Sequence, residues 1–177
     1  AGGADDAYAL VSDGGNNIFV TGASKNPASP YSYDYLTIRY NTSTGDSVWS
    51  ARYNGPANSD DYSQSIVLDR LGNVFVTGYS TGVGSGFDYA TLRYDSLGAQ
   101  QWVQRYTTAG SNTDIAVSVA VDTLGNVYVA GRGYFDVPEY YNYITVKYHD
   151  AALPVELNSF SATVNGADVQ LEWKTAT

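Results

Sequence analysis

A motif of eleven residues occurs three times along this chain, and that repetition is the strongest constraint on how the chain can fold. The copies SDGGNNIFVTG, LDRLGNVFVTG and VDTLGNVYVAG occupy residues 12–22, 68–78 and 121–131. A second motif recurs at nearly the same spacing, as DYLTIRY, DYATLRY and NYITVKY at residues 34–40, 88–94 and 142–148. Tandem repetition at this spacing predicts structural units that stack, each burying the apolar surface that its neighbour leaves uncovered.

A third motif occurs only twice. DSVWSARY and QQWVQRY lie at residues 46–53 and 100–106 and place Trp49 and Trp102 at equivalent positions. We therefore expect the third unit to lack the strand that carries this tryptophan.

Inside each unit, apolar and polar residues alternate with a period of two, which indicates half-buried β-strands. Two such strands flank the turn sequence D-x-x-G-N, where Asp and Asn side chains can accept hydrogen bonds from the turn and Gly tolerates positive φ. The segments 23–32, 79–86 and 132–140 are rich in Gly, Ser or Pro and are predicted to be variable loops. Helical periodicity is absent from the sequence.

Four short antiparallel strands per repeat are typical of a β-propeller blade. The predicted fold is all-β, with three tandem four-stranded propeller-type blades, the third without its fourth strand, followed by a C-terminal strand pair. Three blades are too few to close a ring, so the stack is expected to be open. The predicted boundaries are 1–59 for repeat 1, 60–112 for repeat 2, 113–150 for repeat 3 and 151–177 for the tail.

The repeated D-x-x-G-N-V-x-V-T-G and D-Y-x-T-x-R-Y motifs resemble the bacterial β-propeller repeat of the seven-bladed type, over roughly residues 5–149. The resemblance implies an extracellular or cell-surface scaffold and implies no particular chemistry.

The tail sequence LPVELNSFSATVNGADVQLEWKTAT predicts two more strands around an Asn-Gly turn. It resembles the start of a fibronectin-like C-terminal module of secreted Bacteroidetes–Ignavibacteria proteins, where such modules accompany type IX secretion. A complete sandwich of this kind needs about seven strands, so the tail supplies only its beginning.

Composition excludes several functions. With 9 Lys and Arg against 18 Asp and Glu, the net charge is −9, which argues against nucleic acid or acidic membrane surfaces as partners. No apolar run is long enough to insert into a membrane. The chain has no Cys and a single His, so we expect no metal site and no cofactor.

We find no set of nucleophile, base and orienting group, and we expect no enzymatic activity. His149 is predicted at a strand end, and the carboxylates of Asp60 and Asp61 should point to opposite sides of a strand. Asp13, Asp69 and Asp122 are interpreted as turn caps rather than calcium ligands.

Acidic and basic residues also recur at equivalent positions. Asp5, Asp61 and Asp114 begin the three units and are expected to cap the incoming strand or pair with a repeated arginine. Basic residues share two further positions, and each is expected to lie beside a carboxylate of the next blade: Arg39, Arg93 and Lys147 at one position, and Arg52 and Arg105 at the other.

Most of the 17 tyrosines occupy repeated strand positions, where packing is the usual role. A smaller set of aromatic residues in the predicted loops is expected to face solvent and could contact a ligand such as a glycan: Tyr31, Tyr33, Tyr79, Phe87, Tyr134, Phe135, Tyr140 and Tyr141.

An open stack leaves unpaired strand edges that can pair with other chains. We expect the tail to fill the missing fourth-strand position of the third blade, in its own chain or in the next, which would produce a homo-oligomer or filament. The apolar residues assigned to this contact are Val155, Leu157, Phe160, Val169, Leu171 and Trp173. The alternative is a fragment of a larger secreted propeller that binds a surface glycan or protein.

Overall fold

The computed structural model describes residues 4–26, 29–108, 113–136, 139–149, 157–165 and 168–175, and within these it describes no side chains for 29–31, 135–136, 139–140 and 157–175. Blade 1 contains β1 (Asp5–Ser12), β2 (Asn17–Asn26), β3 (Ser29–Asn41) and β4 (Ser47–Tyr53). Blade 2 contains β5 (Asp61–Leu68), β6 (Val74–Thr81), β7 (Phe87–Tyr94) and β8 (Gln100–Tyr106). Blade 3 contains β9 (Asp114–Val121), β10 (Asn126–Asp136) and β11 (Glu139–His149), and the tail contains β12 (Leu157–Asn165) and β13 (Asp168–Thr175).

Each blade is an antiparallel meander, in which every strand after the first pairs with the strand that precedes it in the chain. Blades 1 and 2 have four strands, and blade 3 has three among the described residues. The predicted all-β fold is thus confirmed, with antiparallel sheets of three or four strands, none of which closes into a barrel. None of the described residues forms a helix long and apolar enough to cross a membrane.

The two tail strands form a hairpin of their own. Phe160 pairs with Trp173 and Val164 with Val169, on either side of the predicted Asn-Gly turn. Within the described residues neither strand pairs with β11, so the structure does not place the tail in the fourth-strand position of its own blade 3.

Blade 2 lies between the other two blades and is buried on both faces. Val74, Val76 and Leu92 pack toward blade 1, in a cluster that includes Phe19 and Tyr35. Phe75 and Tyr89 point the other way and pack into blade 3, against a cluster of its valines and Ile144. Period-two alternation therefore gives blade 2 two apolar faces, each matched to one neighbouring blade.

The innermost strand of each blade contains a β-bulge at the same repeat position, beside a glycine of the next strand. In blade 2, a Cβ atom on Gly78 would overlap the carbonyl oxygen of Tyr62. Gly22 and Gly131 meet the backbone of their own blades in the same way. The bulge thus brings two backbones too close for any side chain at these positions.

The D-x-x-G-N turns are closed by their aspartates. The Asp69 carboxylate accepts hydrogen bonds from the backbone N–H groups of Leu71 and Asn73, each at 2.8 Å, and from the Asn73 side-chain amide at 2.6 Å. Gly72 supplies the positive φ, at +79°. Asp122 makes the same three contacts in blade 3, so the predicted turn capping is confirmed.

The aromatic residues predicted to lie in loops are on strands instead, and that part of the prediction is wrong. Cross-strand pairing continues past the predicted loop boundaries, with Lys25 opposite Tyr33 and Thr81 opposite Phe87. The Gly, Ser and Pro residues of these segments indicated loops. The Tyr and Phe residues among them favour cross-strand pairing, which extends the two strands of each hairpin.

Candidate functional site

One buried tyrosine bridges each internal junction between blades. The Tyr35 hydroxyl of blade 1 donates a hydrogen bond to the carbonyl oxygen of Ala90 in blade 2 at 3.2 Å. The Tyr89 hydroxyl of blade 2 donates to the Ile144 carbonyl of blade 3 at 3.4 Å. Both side chains are fully buried. Each junction therefore carries the same directional contact, from one blade to the next blade along the chain.

The tyrosine hydroxyl lies in a socket that only glycine leaves open. A Cβ atom on Gly78 would lie 2.8 Å from the Tyr35 hydroxyl oxygen, and one on Gly131 would lie 2.5 Å from that of Tyr89. The glycine beside each bulge thus leaves room for the backbone of its own blade and also for the tyrosine hydroxyl of the preceding blade.

Hydroxyl groups reinforce the junction between blades 1 and 2. Thr21 Oγ1 lies 2.8 Å from Ser63 Oγ, which also donates to the carbonyl oxygen of Gly22 at 2.8 Å. Thr21 and Ser63 are both fully buried. These contacts fix where blade 2 sits on blade 1, because hydrogen bonds between buried groups tolerate little displacement.

The free face of blade 3 exposes the residues that are buried at the internal junctions. Tyr143 is the repeat equivalent of Tyr35 and Tyr89, yet its side chain is 98% exposed. Ala130 and Thr145, beside it on this face, are exposed as well, whereas their blade 2 equivalents Thr77 and Thr91 are fully buried.

The free face of blade 1 is the other half of the same junction. Leu10 is 68% exposed, while its repeat equivalents Ile66 and Val119 are 8% and 7% exposed. Ala7 is exposed, and its equivalent Ser63 is fully buried. The two ends of the stack are therefore complementary halves of a contact that the chain makes twice internally.

Among the described side chains, no tryptophan of blade 3 itself packs on the central aromatic ring of that blade, in contrast to blades 1 and 2. Trp49 packs on Phe19 at 5.9 Å between ring centroids, and Trp102 packs on Phe75 at 6.1 Å. Tyr128 holds the equivalent position in blade 3, and no described strand pairs with the outer edge of β11.

Three of the eight aromatic residues predicted to face a ligand, Tyr33, Tyr79 and Phe87, gather around Tyr62, which was not predicted. We call these four residues the aromatic rim. Tyr33 stacks on Tyr62 across the junction of blades 1 and 2, with centroids 5.7 Å apart. Tyr79 contacts Tyr62 and Phe87 at 5.3 Å and 4.9 Å. All four rings are half-buried. Burial, followed by the charge of Asp60, raises the pKa of Tyr62 to about 12.

The remaining predicted ligand residues lie on blade 3 or outside the described side chains. Tyr134 packs edge to face on Tyr141 at 5.2 Å, and the Arg132 guanidinium lies over the Tyr141 ring at 4.8 Å. Tyr31, Phe135 and Tyr140 lie on β3, β10 and β11, and their side chains are outside the described part of the structure.

Of the tail residues assigned to assembly, Val155 lies outside the described residues. The others are on the two tail strands: Leu157 and Phe160 on β12, and Val169, Leu171 and Trp173 on β13. Ala162 pairs with Leu171 between the two pairs already described.

The expected ion pairs between blades are wrong for Arg52 and Arg105, because both arginines pair within their own blade. Arg52 lies 3.3 Å from Asp34, and Arg105 lies 2.9 Å from Asp88. In each blade the aspartate lies on the third strand and the arginine on the fourth. The two side chains are therefore neighbours within one sheet. One contact of Arg105 crosses a junction, a hydrogen bond to the Tyr53 hydroxyl at 3.1 Å.

The acidic residues at the head of blades 2 and 3 hold the connections between blades. The Asp61 carboxylate accepts a hydrogen bond from Gly55 N–H, and the Asp114 carboxylate accepts one from Thr108 N–H, each at 2.6 Å. Burial raises the pKa of both carboxyls, and that of Asp61 reaches about 6. The predicted capping role is confirmed for these two residues.

The other predicted chemical sites have simple surroundings. Asp60 Oδ1 accepts a hydrogen bond from Tyr33 N–H at 3.1 Å, so neighbouring Asp60 and Asp61 are each bound to a backbone amide. His149 is exposed at the end of β11. No three His, Asp or Glu side chains of the described region are grouped so as to hold a metal ion.

Together, the stacked meanders and the repeated tyrosine contact define an open array of propeller-type blades. The family model described as Beta-propeller repeat matches two segments of the chain, residues 48–84 and 101–136. Each match begins in the fourth strand of one blade and reaches the end of the second strand of the next, so each spans a junction between blades. Neither match includes the tail or gives a number of blades. No curated protein matches this sequence.

Proposed function

We propose that this chain is a non-enzymatic, extracellular structural protein that self-assembles into a filament or surface scaffold through blade packing and strand addition by its tail. The observation that carries the proposal is the exposure of Tyr143, whose two repeat equivalents are fully buried between blades. Apolar and hydrogen-bonding residues that are buried elsewhere in the same repeat mark an interaction surface.

The tail supports strand addition because the described part of blade 3 has three strands where the other blades have four, and the tail contains two further strands. The outer strands β4 and β8 bring Trp49 and Trp102 onto an aromatic ring of their own blades, and β13 carries Trp173. A tail strand from a neighbouring copy, added to the edge of β11, would supply both the missing ladder and the missing tryptophan. The resemblance of the tail to modules of secreted proteins supports an extracellular location.

Electron microscopy of the negatively stained 177-residue chain tests this function, beside a variant without residues 151–177. We expect ordered filaments or tubes from the full chain only. Trp173→Ala should also prevent assembly, whereas Glu172→Ala, its neighbour on the opposite face of β13, should not. Circular dichroism checks that each variant keeps its β-structure. Normal assembly without the tail would refute strand addition.

A second candidate function, a binding module for a surface glycan or protein, is favoured by the aromatic rim. Sugars stack on aromatic faces, and the four half-buried rings form a continuous surface across two blades. A glycan array tests this function, followed by thermal unfolding with any ligand found. A bound ligand should raise the melting temperature with increasing concentration, and an array without signal would remove glycan binding from consideration.

A further inference from the structure

Among the described residues, no blade packs on the outer face of blade 1 or of blade 3. These two faces keep the tyrosine and the glycine of the internal junctions, while Ala130 and Ala7 stand where the first junction has Thr21 and Ser63. Blade 3 presents the donor half, consisting of Tyr143, Ala130 and Thr145. Blade 1 presents the acceptor half, consisting of Gly22, the Leu36 carbonyl and the exposed Leu10 and Ala7. Every one of these positions has an equivalent in a junction that the structure shows closed.

The acceptor half is built for a tyrosine hydroxyl. At the internal junction, the Ala90 carbonyl accepts hydrogen bonds from Thr77 Oγ1 at 3.4 Å and from Tyr35 of the preceding blade. In blade 1, the Leu36 carbonyl accepts the equivalent bond from Thr21 Oγ1, also at 3.4 Å. Tyr35 donates the second hydrogen bond to Ala90, and no described residue does the same for Leu36. A tyrosine of another chain would supply that second bond.

We propose that a second copy of this chain covers each free face, with Tyr143 of one copy inserted against Gly22 and donating to the Leu36 carbonyl of the other. This inference rests on the proposed self-assembly and names the surfaces that make it. The contact is heterologous, so it forms a ring where the rotation closes and a filament where it does not. Two copies would bring six blades together, which is within the four to eight of closed propellers.

The partner that covers the two free faces is identified by their likeness to the internal junctions. The donor half requires a glycine beside a bulge and a carbonyl oxygen at a fixed register, and the acceptor half requires a tyrosine at the register of Tyr143. A blade of this repeat has both features, and only a partner of that kind satisfies both ends at once. A copy of the same chain supplies such a blade at each end.

Introduced cysteines test the contact cleanly because the chain has none of its own. Ala130 and Ala7 are the repeat equivalents of Thr21 and Ser63, whose hydroxyl oxygens lie 2.8 Å apart at the internal junction. Mixing an Ala130→Cys variant with an Ala7→Cys variant under mild oxidation should give a disulfide-linked dimer that contains one chain of each. The double variant Thr21→Cys/Ser63→Cys, which should close within one chain, is the positive control for thiol geometry.

Two further variants make the result specific. Leu124→Cys, on an exposed turn of blade 3 away from the donor half, should not link to Ala7→Cys. Adding Tyr143→Ala to Ala130→Cys should lower the initial rate of linkage about tenfold, as expected for the loss of a central tyrosine. Because Tyr143 is 98% exposed, the fold of the single chain should not change.

Sizing of the same samples separates failure of this contact from failure of self-assembly. Multimers that form without the Ala130–Ala7 link would overturn the proposed contact and leave self-assembly by the tail in place. A chain that stays monomeric at every concentration would overturn both, and blades of a longer polypeptide would then be the covering partner. An initial rate of linkage that is unchanged by Tyr143→Ala would also overturn the role given to this tyrosine.

Discussion

Tyr35 and Tyr89 each join two blades through a single hydroxyl group. The ring fills the core between the blades, while the hydroxyl reaches a backbone carbonyl of the next blade. A phenylalanine could fill the core equally well, so the tyrosine adds direction and register to a contact that hydrophobic packing alone would leave free to slide.

Replacing the hydroxyl should therefore weaken folding at an internal junction only. We expect Tyr89→Phe to lower the free energy of unfolding by about 1 kcal/mol, the usual net contribution of such a hydrogen bond. Tyr143→Phe, at the exposed equivalent, should leave the unfolding of the single chain unchanged. Urea denaturation at low protein concentration measures both, and equal effects of the two substitutions would contradict the bridging role.

Asp61 makes the stability of the chain depend on pH in an unusual direction. Burial, the largest cause, raises the pKa of Asp61 from 3.8 to about 6. Between these values the folded chain holds a proton that the unfolded chain releases, so the free energy of unfolding falls as pH rises through this window. Asp61→Asn should remove that part of the decline, as measured by urea denaturation from pH 4 to 7.

Asp122 provides the matched control because the pKa of its carboxyl is shifted the other way. Hydrogen bonding, first from the side chain of Asn126, lowers that pKa to about 2. Its contribution is present above the unfolded value and is lost as pH falls toward 2. Asp122→Asn should thus leave the slope between pH 4 and 6 intact, and an identical slope in Asp61→Asn would contradict the assignment to Asp61.

At the scale of the strand, the bulge beside Gly78 is the least tolerant element of the blade. A Cβ atom there would overlap the Tyr62 carbonyl and crowd the Tyr35 hydroxyl. We expect Gly78→Ala to cost about 1–3 kcal/mol, the range for overpacking in a core, and to loosen blade 2 from blade 1.

Gly84→Ala is the control for this substitution. Gly84 has a φ of +79° and nothing within 4 Å of an added Cβ, so it tests backbone conformation without overlap, at about 1–2 kcal/mol. Thermal unfolding compares the two variants. A smaller loss for Gly78→Ala than for Gly84→Ala would refute the close approach at the bulge.

Strand identity and turn chemistry could be predicted from the sequence because both depend on neighbouring residues. Alternation placed the strands, and Asp69 closes its turn as predicted. Hairpin length was underestimated, since the aromatic residues of the rim pair across strands in segments whose composition indicated loops. Cross-strand pairing between such segments depends on register, which composition does not report.

Contacts between blades were the least predictable part of the candidate site. The repeat spacing placed Tyr35, Tyr89 and Tyr143 at equivalent positions, but nothing local shows that a hydroxyl crosses to a carbonyl 55 residues away. The arginine partners were mispredicted for the same reason, as the choice between a neighbouring strand and a neighbouring blade depends on three-dimensional distance.

At the scale of the whole molecule, uncovered ends make stability depend on concentration. When copies associate through faces that only the folded chain possesses, mass action stabilises the folded state. The melting temperature should therefore rise as protein concentration increases, and Tyr143→Ala should abolish the rise. A melting temperature that is constant across a hundredfold range of concentration would argue against association.

The repetition of one junction also bears on how such a chain can change in length over generations. Each unit carries its donor tyrosine and its acceptor glycine on opposite faces, so a unit duplicated in frame meets both of its neighbours with contacts that already exist. Deleting a unit joins two halves that fit in the same way. Recombination between the repeats of the gene can therefore lengthen or shorten the array by whole blades without any new interface having to evolve.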